Sequence, residues 1–293
     1  MAESPRVEIA SAELTAAIDP FGAELSSLRD AEGRELMTDA DPAFWSGHAP
    51  LLFPIVGRLM DDRYRLDGHE YPLPQHGFAR RQMFALIEQA ADRAVFRLVD
   101  NEATRAVYPF AFTLDAAFTL TGLTLAMDVT VTNTGGRDMP ASFGFHPAFA
   151  WPLPFGRPRA DHRIVFEKNE PAELSAIVKG GWIAPESWPS PLRGDALMLD
   201  DEMFERDALV WDQLESQSLR YDGGGGPALD IGFAGMPKLG IWTKPGARFV
   251  CIEPWHGIAD PIGFAGEIWD KPGILRFAPG ESRTFSMQVT LAA

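Results

Sequence analysis

Hydrophobic and polar positions alternate along much of this chain. In the run LTLAMDVTVT, residues 123–132, Leu123, Leu125, Met127, Val129 and Val131 fall on one face and Thr124, Asp128, Thr130 and Thr132 on the other. A period of two is the signature of a half-buried strand. A second apolar-rich run at 112–120 precedes it, and Thr121-Gly122 between them predicts a hairpin. Asp67-Gly68 separates residues 64–66 from 70–72 in the same way. The N-terminal third continues the habit, with a strand-like VEIASAELTAAID, a turn at Pro20-Phe21-Gly22, AELSSL, and a turn around Gly33.

Helical periodicity is scarce. Residues 41–45 and 200–205 could each form one short turn, and neither sustains a 3.6-residue repeat. The 27 glycines and 24 prolines would interrupt long helices repeatedly. The pattern predicts an all-β fold, a large antiparallel β-sandwich of two packed sheets, each burying one apolar face. No stretch reads as a linker, so residues 1–293 are taken as a single domain. Residues 151–191, rich in Pro and Trp, read as a long excursion between strands.

Composition changes the picture mainly by exclusion. A hydrophobic share of 46% with 23% charged residues is that of a globular chain with a substantial core. The net charge of −15, from 41 acidic and 26 basic residues, repels nucleic acid and anionic membrane surfaces, so neither is expected as a partner. A small neutral ligand fits better. The single cysteine, Cys251, is expected to exclude both an internal disulfide framework and any Cys-based zinc site. The N-terminus has no basic region followed by an apolar core, and no stretch approaches the length of a membrane span; a cytoplasmic protein is expected.

The candidate chemistry is two imidazoles and a carboxylate: His76 in PQHGFAR, His146 in FGFHPAF and Glu253 in CIEPW. Such groups can give a proton to one oxygen while taking one from another near neutral pH. Strand alternation puts Phe249, Cys251 and Glu253 on one face. A carboxylate there is either paired with an arginine or is a base whose proton affinity rises with burial. Trp255 beside it favours a sugar, whose ring offers an apolar face and hydroxyls. The same alternation groups Ser142, Gly144 and His146, with Gly144 leaving space beside the imidazole for a ligand. A strand-end histidine bonded to a carbonyl is the plainer alternative for both His76 and His146. His48, His69, His162 and His256 lack this setting and read as surface or packing residues. The Gly223–Gly226 run has neither the Lys-Ser/Thr of a phosphate loop nor a following helix, and reads as a hairpin tip. No GxSxG, HExxH or CxxC motif is present.

Five ordered segments carry a resemblance: FPIVGR ending at Arg58, PLPQHGFAR at 72–80, YPFAF at 108–112, FGFHPAF at 143–149 and IEPWHGIAD at 252–260. Together they resemble the aldose 1-epimerase, or galactose mutarotase-like, family, most of all its LacX-like branch. The resemblance implies a β-sandwich with an open groove that binds an aldose and interconverts its α and β anomers without metal or organic cofactor. It implies His146 as general acid toward the ring oxygen, Glu253 as general base toward the anomeric hydroxyl, and Arg58, His76 and Trp255 as sugar contacts. A further aspartate of galactose-selective relatives has no matching motif here, with Asp207 and Asp260 as candidates. The partner is then a small aldose, and the chain a monomer or homodimer.

Two other readings stay open at this level. The same groove could bind or sense a sugar without turnover. His76, His146 and Glu253 could instead form a two-His-one-carboxylate metal site, although such triads draw two ligands from one closely spaced motif, absent here. The Arg80-Arg81 pair reads as a solvated basic pair, with contact to a sugar phosphate as the alternative.

Overall fold

The alternation at 112–133 is realised as the hairpin Phe112–Thr121 and Thr124–Asn133. Residues 5–292 are described in this computed structural model. Gly122 and Leu123 form the tip, one residue later than the sequence suggests, so Leu123 leaves the apolar face and is exposed while Leu125, Met127, Val129 and Val131 are buried. A glycine of positive φ at the first tip position settles that register.

The hairpin lies inside a nine-stranded antiparallel sheet running from Ala196–Met198 at one edge to Ala85–Gln89 at the other. Its neighbour Ser282–Ala292 pairs along Thr124–Asn133, and three cross-strand hydroxyl pairs, Thr124–Thr290, Thr130–Thr284 and Thr132–Ser282, line the polar face. A second sheet of six strands has the order Leu209–Trp211, Lys238–Trp242, Phe249–His256, Phe143–Phe145, Leu51–Leu52, with Ala148–Ala150 also paired to Phe249–His256. Aromatic pairs join the two layers: Phe143 stacks on Phe285 at 5.0 Å, Phe53 meets Phe112 at 5.1 Å, and Phe166 meets Trp211 at 5.1 Å. The fold is therefore the antiparallel β-sandwich the alternation predicts.

One local expectation needs correction. VEIASAELTAAID is two strands, Val7–Ala10 and Leu14–Asp19, because the Ser11 hydroxyl accepts from the amides of Glu13 and Leu14 and turns the chain. As expected, the segment 41–45 makes a single turn and 201–204 a 3-10 turn. The sequence pattern does not mark the α-helix Glu102–Val107, although Asn101 and Thr104 form a reciprocal capping box at its start.

The excursion 151–191 contains more structure than its composition suggests. Arg163–Phe166 joins the large sheet, and Leu174–Val178 with Trp182–Trp188 forms a hairpin outside both layers. No helix among the described residues is long and apolar enough to cross a membrane. Residues 1–4 of the N-terminal reading lie outside the described residues.

Candidate functional site

The strand Phe249–His256 sits inside the six-stranded sheet and alternates Phe249, Cys251, Glu253 and Trp255 onto one face. Across from it run two short strands separated by His146 and Pro147. Gly144 pairs with Trp255 and Ala148 with Cys251, so the register is continuous across the break and His146 falls opposite Glu253. The imidazole Nε2 stands 3.2 Å from a carboxyl oxygen of Glu253. His146 is 8% exposed and Glu253 2%.

Both groups line a cavity of about 290 Å³. His76 lines it too, with its ring centroid 5.7 Å from that of His146. The loop that carries His76 turns through left-handed backbone at His76 and Gly77, and the Gly77 Cα lies so close to the carbonyl of Phe53 that a side chain would collide with it. The Gly57 amide donates to His76 Nδ1 at 3.1 Å. That bond leaves the proton of the neutral ring on Nε2, a donor available to a ligand.

The space beside Gly144 is filled by protein, contrary to the sequence expectation. The Trp255 indole spreads over Gly144 on one neighbouring strand and Gly240 on the other, and a methyl group at either position would strike it. Two glycines thus give the indole a flat bed, from which its ring lines the cavity. Trp45 stacks on His146 at 5.0 Å with an interplanar angle of 27°, and Trp242 meets the same imidazole edge-on at 6.1 Å. Neither tryptophan stands out in the sequence, because each gains its position only through long-range pairing.

This enclosure controls protonation. Burial lowers His146 to about 3, and it pushes Glu253 well above the ordinary carboxylate range, with repulsion from Asp207 adding to the rise. Burial, followed by the neighbouring His146 and Arg80, also holds His76 well below its usual value. Burial therefore favours a protonated carboxyl beside a neutral imidazole. The free-histidine value near 6.5 does not hold for His146 inside this enclosure.

Other residues sort clearly. Asp207, at positive φ, sits at the exposed rim of the cavity, and its own Oδ1 accepts from the Ala208 amide. Asp260 is instead buried in an ion pair with Lys271 at 2.7 Å and accepts from the Met60 amide. Arg80 lines the cavity while Arg81 is exposed, so they are not a solvated pair; the Arg80 guanidinium donates to the Gln75 carbonyl, and its Nε finds no partner among the described residues. The Arg58 guanidinium is not part of the lining. It makes a two-pronged pair with Asp62 at 2.8 Å, donates to the Gly180 carbonyl at 3.0 Å, and lies 5.2 Å over Trp182. Arg58 thereby ties down the 174–188 hairpin, whose Ile177, Gly181 and Ile183 form one wall. His48, His69, His162 and His256 lie outside the lining, and His162 is a core residue bonded to Leu153 N and Pro158 O.

Among the described residues, a ring nitrogen of His146, the Cys251 sulfur and an oxygen of Glu253 lie within 4.8 Å of one another. Metal-type spacing thus involves Cys251, not the set of His76, His146 and Glu253 read from the sequence.

A two-sheet antiparallel sandwich with a buried histidine–carboxyl pair and tryptophans around a cavity places the protein among galactose mutarotase-like folds. The aldose 1-epimerase family profile matches residues 5–215, and the chain belongs to that family. It is 29% identical over 295 residues to the plasmid-encoded LacX protein of Lactococcus lactis, covering 97% of this chain and 99% of that one. A galactose mutarotase related enzyme of Lactobacillus acidophilus superposes with a TM-score of 0.90 at 30% identity, over 98% of this chain and 97% of that one. A galactose mutarotase-like protein of Lactobacillus casei also gives 0.90, at 28% identity, over 98% and 100% of the two chains. The family carries isomerase chemistry on sugars.

Proposed function

We propose that this chain is an aldose 1-epimerase that interconverts the α and β anomers of a hexose. The observation that supports this most is the 3.2 Å approach of His146 Nε2 to Glu253 inside a sugar-sized cavity. Two oxygens bonded to one anomeric carbon are close enough for both groups to reach from the same wall.

Ring opening needs one proton to leave the anomeric hydroxyl and one to reach the ring oxygen. With Glu253 as carboxylate and His146 as imidazolium, the carboxylate takes the first and the imidazolium gives the second. The C1–O5 bond then breaks to leave an aldehyde. Rotation about C1–C2 and reclosure return both protons and release the other anomer. After opening, the pair holds a neutral imidazole and a protonated carboxyl, the arrangement that burial favours in the empty cavity. His76 Nε2–H and Arg80 supply donors to sugar oxygens, Asp207 supplies an acceptor at the rim, and Trp255 offers its face to the ring. Arg58 acts through the 174–188 hairpin.

The test is polarimetry or exchange NMR on freshly dissolved aldoses, comparing wild type with Glu253→Gln and His146→Asn. Each variant is expected to lose about a hundred- to ten-thousand-fold in anomer exchange. Variants as fast as wild type would remove the pair from catalysis. Sugar binding without any acceleration by the wild type would leave a carbohydrate-binding protein instead.

A further inference from the structure

Cys251 has no part in the proposed proton transfers, yet it lies directly beneath the pair that performs them. Its side chain is on the same strand face as Glu253, two residues away, and pairs across the ladder with Ala148, two residues beyond His146. Ligand atoms of His146, Cys251 and Glu253 fall within 4.8 Å of one another, and all three residues are buried.

The distances suit a metal ion. Nitrogen and oxygen ligands of one tetrahedral zinc stand roughly 3.3–3.6 Å apart when each bond is about 2.0–2.2 Å. His146 Nε2 and Glu253 already stand 3.2 Å apart. A zinc–sulfur bond is about 2.3 Å, so an inward movement of Cys251 by roughly 1 Å completes three protein ligands. The fourth position would face the cavity, which suits water.

We propose that Cys251, His146 and Glu253 form a binding site for a thiophilic divalent cation, zinc above all, and that the bound ion excludes the sugar. One thiolate, one carboxylate and one neutral imidazole neutralise a divalent charge in a site that otherwise disfavours charge. The thiol and the carboxyl give their protons to solvent as the ion enters, so binding tightens with rising pH. A hard oxygen-seeking cation such as magnesium is not accommodated, because sulfur and imidazole are poor ligands for it. Ion binding stands independently of the mutarotase reading, while the inhibition rests on it.

Cobalt(II) serves as the spectroscopic probe. Titrating it into the wild type should give a near-ultraviolet thiolate-to-cobalt charge-transfer band and visible bands of a tetrahedral site, both absent in Cys251→Ala and Cys251→Ser. Calorimetry with zinc should show affinity at least about tenfold weaker in Cys251→Ala. In the exchange assay zinc should stop the wild type, while Cys251→Ala keeps basal turnover and needs at least about tenfold more zinc for the same inhibition. No near-ultraviolet band in the wild type at saturating cobalt overturns the proposal, whatever the variants do. Equal zinc affinity in wild type and Cys251→Ala overturns it as well.

Discussion

His146 and Glu253 face each other across an antiparallel ladder whose register stays continuous although one of its strands is broken between Phe145 and Ala148. The break frees the imidazole from ladder geometry, and the register keeps it 3.2 Å from the carboxyl. The proton transfer proposed above depends on this opposition.

The pair should impose a bell-shaped pH dependence on kcat/KM. It holds its working proton between His146 at about 3 and the raised value of Glu253. Below about 3 a second proton loads the pair, and above the Glu253 value the last one leaves, so activity falls on both sides. An activity limb at the free-histidine value near 6.5, in rate profiles of the uncomplexed enzyme, would refute this assignment.

Stability follows the same groups with a definite sign. Because folding raises the Glu253 value, the native state binds more protons than the unfolded chain above pH 4.5, and stability falls as pH rises toward the folded value. Glu253→Gln removes this loss, so it should melt higher than wild type at neutral pH, by about 1.4 kcal/mol for each unit of displacement. His146 acts oppositely: its folded value of about 3 against 6.5 unfolded makes stability rise across that interval. Thermal melts from pH 3 to 8 for both proteins check the two slopes.

The low proton affinity of His146 is assigned to enclosure by tryptophan. Trp45→Ala removes the ring stacked at 5.0 Å and admits water. The His146 value should climb from about 3 toward 6.5 by a unit or more, read by NMR titration of labelled histidine. An unmoved resonance would place the cause elsewhere.

Arg58 should behave as a positioning residue. Arg58→Ala releases Asp62 and the Gly180 carbonyl, and loosens the hairpin wall. The exposed ion pair itself is worth under about 1 kcal/mol, so melting should change little. KM for the sugar should rise several-fold with kcat nearly kept, and Asp62→Asn should reproduce the effect. A loss confined to kcat would instead argue for direct contact with the reacting centre.

The Asp260–Lys271 pair is the opposite case, since both side chains are at most 2% exposed. Lys271→Met strands a buried carboxylate and should cost about 3–5 kcal/mol in urea unfolding. Adding Asp260→Asn should restore part of that, because the uncompensated charge is then gone.

Alternation, turn dipeptides and the scarcity of helical period determine the all-β class from sequence alone, because side-chain period and burial are local properties. The motifs around His76, His146 and Glu253 likewise mark their residues in one dimension. What the sequence could not decide is who fills space next to whom. Gly144 reads as room for a ligand and is instead the bed of Trp255; Arg58 reads as a sugar contact and braces a hairpin beside the cavity; Arg80 reads as solvated and lines the cavity. Trp45, Trp242, Asp207 and Cys251 join the site only because strands far apart in the chain share one register. Pairing partners, and the proton affinities that follow from enclosure, depend on three-dimensional packing, since desolvation is a property of all the walls of a cavity at once.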